Sequence, residues 1–254
     1  MLTSEYPRRP TGAARAALHA YRGAPLSARA HATVRWWSAP FPAVEAALPT
    51  SGRVLEIGCG HGLFSSFAAV ASGSRSVVGV DIDAAKIAQA DAARRRLPGA
   101  DLRFVLAPSG AVPTGPWDAI VVIDMLYLLS SDDQRSLLAD AAAQLGPGGL
   151  LLVKEMSPTP RWKAGWNILQ ETLAVSILHI TERADGDATP APAAPGQLSG
   201  GADSGSRPRF DFVAPDVMAG WLEQSGLSSS SRRLDRHRLH PHHLLIGRRA
   251  ASAS

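Results

Sequence analysis

The feature that most constrains this chain is an apolar run ending in glycine-spaced loop residues, Val54-Leu55-Glu56-Ile57-Gly58-Cys59-Gly60-His61-Gly62, followed by a helical pattern over Leu63–Ala71. A strand that passes through such a loop into a helix gathers backbone N–H groups and the positive end of the helix dipole at one point. That point suits a carboxylate or phosphate. The rhythm then repeats. Ser76–Asp81 and Leu102–Leu106 read as strands, with a helix over Ala84–Leu97 between them, capped by Asp83. Asp118–Asp124 reads as a fourth strand, followed by a helix capped by Ser131 and running to Leu145. Pro147-Gly148-Gly149 turns the chain into a fifth strand, Leu150–Lys154. Strands that are apolar throughout and alternate with helices specify a parallel sheet covered on both faces.

Around that core the pattern differs. Residues 1–50 are rich in Ala and Arg, broken at Pro10, Gly23-Ala24-Pro25 and Pro40-Phe41-Pro42, and are expected as a helical extension ahead of the sheet. Lys163–Thr181 reads as a helix with Leu169, Leu173, Ile177 and Ile180 on one face, placed as a lid. The Pro- and Gly-rich stretch 184–208 lacks the apolar content to order itself and is expected as a loop. Pro215 opens a further helix, and the segments Ser228–Arg238 and His242–Arg248 read as an antiparallel hairpin. The expected fold class is α/β: a Rossmann-like, doubly wound, mostly parallel seven-stranded sheet with a C-terminal antiparallel hairpin. Its expected boundaries are an extension over 1–50, a main domain over 51–249 with the lid and loop inserted at 161–208, and a tail at 250–254.

Composition removes several alternatives. With 254 residues and 45% hydrophobic content the chain can bury a real core. One cysteine, Cys59, rules out an internal disulfide framework and any zinc site of several thiolates, and it fits a reducing compartment. The net charge of +4 is carried almost wholly by arginine, the lysines being only Lys86, Lys154 and Lys163. Arg8, Arg9, Arg15 and Arg22 interrupt the amino terminus and no apolar stretch follows Met1, so a secretory leader is not expected. No uncharged apolar run reaches the ~18 residues that a membrane span needs. A cytoplasmic protein is the expectation.

The glycine loop gains meaning from Asp81, which ends the second strand, where an acidic side chain can take both hydroxyls of a ribose. Together they predict an adenosine-containing cofactor at the carboxyl edge of the sheet. A short-chain dehydrogenase would need Tyr-x-x-x-Lys, but Tyr6, Tyr21 and Tyr127 are followed four residues later by Pro10, Pro25 and Ser131. The loop is Gly-x-Gly-x-Gly with Glu56 two residues before the first glycine. With Gly79-Val80-Asp81-Ile82-Asp83, Trp117-Asp118-Ala119, Leu145-Gly146-Pro147-Gly148-Gly149 and a terminal hairpin, it resembles the class I S-adenosylmethionine-dependent methyltransferases. The resemblance is strong over about residues 50–156 and weak over 209–249. It implies S-adenosyl-L-methionine as cofactor. By that likeness Glu56, Gly58, Gly60 and Gly62 cradle the methionine part, Asp81 holds the ribose, Ile82 packs on the adenine, and the backbone at Ile123-Asp124 faces the methionine amine. The third strand runs into Ala107-Pro108-Ser109 without the usual acidic or amide residue, so adenine is left to backbone or to Ser109.

The acceptor side is less legible, because methyl transfer from a sulfonium is mainly a matter of alignment and needs no obligatory base. Candidates are Asp124 and Tyr127 after the fourth strand, Lys154 and Glu155 at the end of the fifth, and His240, His242 and His243 at the hairpin turn. His240 is the expected base if there is one. Asp124 and Glu155 stand where some metal-dependent catechol methyltransferases keep carboxylates, but the Asp-Asn pair is missing and no metal is expected. Asp124-Met125-Leu126-Tyr127 has the spacing of the Asp-Pro-Pro-Tyr motif of base-modifying enzymes without its prolines, so nucleic acid is the weaker alternative. A lid with Trp162 and Trp166 and a basic Arg35-Trp36-Trp37 segment point to a small, apolar, lipid-like acceptor, with O-methylation favoured and a peripheral membrane contact open. A non-catalytic cofactor-binding or interaction protein stands as the other alternative.

Overall fold

The computed structural model describes residues 10, 12–156, 211–234 and 242–252. Three helices precede the sheet: α1 (Ala13–Ala20), α2 (Leu26–Ser38) and α3 (Phe41–Glu45), with a single 3₁₀ turn at Tyr21–Gly23 joining the first two. The sheet and its helices then follow as β1 (Gly52–Ile57), α4 (Leu63–Ala71), β2 (Arg75–Asp81), α5 (Ala84–Arg94), β3 (Asp101–Leu106) and β4 (Trp117–Ile123). The order closes with α6 (Ser131–Ala143), β5 (Leu145–Met156), α7 (Pro215–Gln224), β6 (Ser228–Arg233) and β7 (His242–Arg248).

These strands form one seven-stranded sheet in the order β3-β2-β1-β4-β5-β7-β6. β1 to β5 are parallel; β7 runs antiparallel to both β5 and β6. The strand order reverses between β1 and β4, and that is where an open α/β sheet leaves a crevice at its carboxyl edge. The two faces carry separate cores. Phe64, Phe67 and Ile87 pack with Tyr21, Trp36 and Phe41 of the N-terminal helices on one side. Leu137, Leu138, Met218 and Leu222 of α6 and α7 cover the other. Val54, Leu55, Ile120, Val121, Leu151 and Leu152 between them are buried, which is why these strands read as continuous apolar runs.

Element limits differ from the sequence reading in a few places, each with a local cause. Ser130, not Ser131, caps α6: its hydroxyl accepts the Asp133 N–H at 3.2 Å. α5 stops at Arg94 because Arg96 and Leu97 donate to carbonyls three residues back, a tightening toward 3₁₀ geometry. β5 begins at Leu145, which pairs with Trp117. The Pro147-Gly148-Gly149 stretch is absorbed as a register shift inside the strand, with Gly148 at φ 71°. β4 ends one residue early, because Asp124 turns out of the strand at φ 51°. β6 is described to Arg233 only. The expected lid over 163–181, the loop over 184–208 and the hairpin turn with His240 lie outside the described residues.

Candidate active site

All three loop glycines have left-handed backbone, Gly58 at φ 73°, Gly60 at 54° and Gly62 at 76°. Their surroundings differ. A Cβ on Gly62 would stand 2.3 Å from Cζ of Phe104, and one on Gly58 2.9 Å from Cγ of Met125, so both are small to let the loop pack against its own protein. A Cβ on Gly60 would meet nothing within 4 Å. Gly60 therefore borders open space, on the side where a ligand can approach the backbone.

Asp81 ties that loop to the end of β2. One of its carboxylate oxygens accepts the Gly60 N–H at 2.7 Å and the other accepts the Asp83 N–H at 3.0 Å. Each oxygen keeps a second acceptor position for a ligand hydroxyl. Beside it, the apolar side chains of Ile82 and Leu106 are 58% and 55% exposed. Two large apolar residues left open next to a carboxylate make a place for a flat, partly apolar ring that also carries hydroxyls. The Ala107 N–H is already given to the Asp81 carbonyl, while Ser109 is exposed.

Glu56 faces inward. Its Oε2 accepts the backbone N–H of Ser65 at 2.9 Å and the Ser65 hydroxyl, bonds at the first turn of α4. Burial pushes the Glu56 carboxyl up to about 8 against those two bonds. In the unfolded chain the same carboxyl ionises near the ordinary value of 4.5. Between the two the folded protein holds a proton that the unfolded chain has lost, so stability falls as pH rises, by up to about 1.4 kcal/mol per pH unit. Glu56→Gln keeps an acceptor for Ser65 without the titration. Thermal melts without added cofactor from about pH 5 to about pH 8 are expected to show a shallower decline for this variant. Identical slopes would remove the assignment.

The residues after β4 are held by charge. Asp124 Oδ1 accepts from Lys154 Nζ at 2.5 Å and Oδ2 from Arg35 Nη1 at 2.9 Å. Lys154 is fully buried at the end of β5, and Arg35 comes from α2, with its guanidinium 5.6 Å from the centre of the Phe41 ring. Burial alone would raise the Asp124 carboxyl; the Lys154 and Arg35 cations overcome it and hold it well below the usual range. Burial lowers the Lys154 ammonium despite Asp124. Glu155 points back toward the same loop, taking the Met125 and Leu126 N–H groups at 3.1 and 2.9 Å. Burial, then the neighbouring Asp124 charge, raises its carboxyl.

The remaining candidates separate. Tyr127 is buried and stacks on Phe212, ring centres 5.2 Å apart, and burial raises its phenol further out of reach of neutral pH. His242 and His243 lie opposite Met156 and Glu155 across β5 and β7, at the carboxyl edge. The N-terminal helices supply contacts that no motif announced. Tyr21 donates its hydroxyl proton to the His61 carbonyl at 2.5 Å, and the His31 ring lies 4.5 Å from that of His61, directly on the glycine loop. Burial and then the neighbouring His61 lower His31 to about 3.

A family profile described as a methyltransferase domain matches residues 30–186. The chain belongs to the class I S-adenosylmethionine-dependent methyltransferases. A search of curated proteins found no match. Among solved structures, this methyltransferase superposes on magnesium protoporphyrin IX methyltransferase from Synechocystis with TM-score 0.56 at 17% identity, over 93% of its own length and 94% of the other. It superposes on a methyltransferase in complex with its Trm112 activator from Haloferax volcanii with TM-score 0.61 at 14% identity, over 92% and 97%. With an O-methyltransferase family protein from Burkholderia thailandensis the values are 0.58 and 17%; 89% of this chain is covered but only 58% of that one. At these identities the superpositions establish the fold.

The residues of this methyltransferase fit its cofactor. The open space at Gly60, the spare acceptor positions on Asp81 and the uncovered Ile82 and Leu106 are what a ribose bearing adenine requires. Among the described residues no helix is long and apolar enough to cross a membrane.

Proposed function

We propose that this methyltransferase moves the methyl group of S-adenosylmethionine to an oxygen of a small, apolar, uncharged molecule, in the cytoplasm. Glu56, Gly58, Gly60 and Gly62 would cradle the methionine part, Asp81 the ribose and Ile82 the adenine, with the backbone at Ile123 toward the methionine amine. The bound cofactor supplies an activated methyl on a sulfonium, so the chain's own task is to align the acceptor and exclude water.

The observation that carries the acceptor class is the apolar lining beyond β4. Met125, Leu126 and the Tyr127–Phe212 stack give the vicinity an apolar character. Both cations there, Arg35 and Lys154, are already bonded to Asp124, and Oε1 of Glu155 accepts two backbone N–H groups. The same network argues against Asp124 as a base, since a carboxylate held low binds a proton weakly. Histidine is the better reading for proton removal from a hydroxyl acceptor: His242 at the carboxyl edge, or His240, which lies outside the described residues.

The test is transfer of a carbon-13 methyl from labelled cofactor into extracts divided into lipid and polar fractions. Product is expected in the lipid fraction, with the chemical shift of a methyl on oxygen. Product confined to the polar fraction would reject the apolar acceptor, and a methyl on nitrogen or carbon would reject the atom assignment.

A further inference from the structure

The glycine loop is held mainly from within the sheet. Gly58 and Cys59 donate to the Val80 carbonyl at 2.9 Å each, Gly60 donates to Asp81, and Gly62 donates to the Cys59 carbonyl at 2.8 Å. The His61 carbonyl is the exception. It accepts the hydroxyl of Tyr21, 40 positions earlier, in the turn between α1 and α2. That carbonyl and the Gly62 N–H belong to one peptide unit, so the unit is gripped at one end by its own loop and at the other by the N-terminal helices. Glycine accepts either sign of φ, so these two bonds hold the orientation that backbone sterics would leave open at Gly62.

The side chain of the same residue meets the extension as well. The His61 ring lies 4.5 Å from that of His31 on α2, and its Nδ1 is buried with no hydrogen-bond partner to hold a proton there. The charged and titratable groups facing His31 are His61, Arg35 of its own helix and Lys86 of α5. Those facing His61 are Lys86, Asp83 and Asp81, with the Tyr21 phenol on its carbonyl. Asp83 is already paired with Lys86 at 3.3 Å, and Asp81 serves two backbone N–H groups. Burial first, then the neighbouring cations, lowers both imidazoles. The contact is one between two neutral rings.

We propose that Tyr21 and His31 are positioning residues for the cofactor, acting through His61 to hold the glycine loop in the shape that admits it. This rests on the reading of that loop as the cofactor's cradle, and adds that the cradle is incomplete without the N-terminal helices. A dependence on pH follows. Against the loop His31 lies at about 3, and away from it the ring returns toward the ordinary 6.5. Below the ordinary value the undocked state binds more protons than the docked one. The hold is therefore complete above about pH 6.5 and loosens as pH falls.

The full chain is titrated calorimetrically with S-adenosylmethionine and S-adenosylhomocysteine at about pH 7.5 and about pH 5.5. Tyr21→Phe keeps the buried ring and is expected to weaken binding about 3- to 10-fold at the higher pH, the scale of one hydrogen bond. Without ligand, amide exchange over residues 58–66 is expected to quicken by a similar factor. His31→Phe keeps a ring against His61 that cannot be charged. The parent is expected to lose affinity about threefold or more on acidification, and His31→Phe less than half of that loss on a logarithmic scale. Val44→Ala, buried in α3, is the control for stability alone: Tm falls and affinity stays. Unchanged affinity and exchange in Tyr21→Phe, or the same pH dependence in His31→Phe as in the parent, overturns the proposal. So does an equal loss of affinity in Val44→Ala. A loss in Asp81→Ala with none in Tyr21→Phe or His31→Phe removes this inference and leaves the cofactor reading standing. A parent that binds neither ligand removes both.

Discussion

Asp81→Ala is expected to weaken S-adenosylmethionine binding by about 10- to 100-fold in calorimetric titration, on the scale of losing one or two hydrogen bonds to a charged group. Two effects add in that variant. On the proposed assignment the ribose loses its acceptor, and the Gly60 and Asp83 N–H groups lose the carboxylate that fixes the loop to β2. Asp81→Asn separates them. An amide keeps one carbonyl acceptor at the same place, so it is expected to retain more loop order than Ala and still bind the cofactor less well than the carboxylate. S-adenosylhomocysteine carries the same ribose, and its affinity is expected to fall by the same factor. Unchanged affinity for both ligands in Asp81→Ala would sink the ribose assignment and leave the glycine loop without its defining partner.

Asp124→Ala is expected to be the most damaging single substitution to stability. Lys154 is fully buried and bonded to Asp124 at 2.5 Å, so removing the carboxylate leaves a buried ammonium without its counter-charge. Breaking a buried pair from one side typically costs about 3–5 kcal/mol. Alanine at the φ of 51° that Asp124 adopts adds backbone strain of about 1–2 kcal/mol. Together these predict a fall in Tm of roughly 10 °C or more for a chain of this size. Replacing the carboxylate and its fully buried partner together, as in Asp124→Asn with Lys154→Met, is expected to cost less than Asp124→Ala alone, because no buried ammonium is then stranded, only the partly exposed Arg35 loses its carboxylate, and Asn tolerates the left-handed backbone. A pH series gives a second reading. The folded Asp124 carboxyl lies below its unfolded value, so its contribution is complete above about pH 4 and is lost as pH falls further. The parent should therefore lose stability more steeply on acidification than the double variant. A loss below about 1 kcal/mol in Asp124→Ala, within the range of an exposed pair, would show that the network does not hold the loop.

The network also shows what the amino-acid order alone could and could not reveal. Lys154 and Glu155 are legible as residues at the end of a strand, because Leu150–Val153 is a continuous apolar run with two charged residues after it. Their partners are not. Arg35 lies 89 positions before Asp124, in a helix that matches no motif, and reads in the sequence as one more arginine of a basic segment. Tyr21 and His31 have the same character: they meet His61 only because α1 and α2 fold back over α4. Glu56 is legible as an acidic residue ahead of the loop, but its two bonds to Ser65 depend on the helix turning within reach of the strand end. Of the three catalytic candidates, two lie among the described residues. Asp124 is committed to two cations, Tyr127 is packed on Phe212, and His240 lies outside the described residues.

By itself the sequence determined the α/β sheet, its parallel strands, the glycine loop and Asp81, and through them the expectation of an adenosine-containing cofactor. It could do so because each is encoded locally, in runs of five to seven residues or in spacings along one βα unit, where period and turn chemistry are nearly sufficient. Tertiary structure alone decided the strand order, the covering of the loop by the N-terminal helices and the charge state of the buried residues after β4 and β5. Those depend on which distant segments share a low-dielectric interior, and a burial or a salt bridge across 89 positions leaves no periodic trace in the chain.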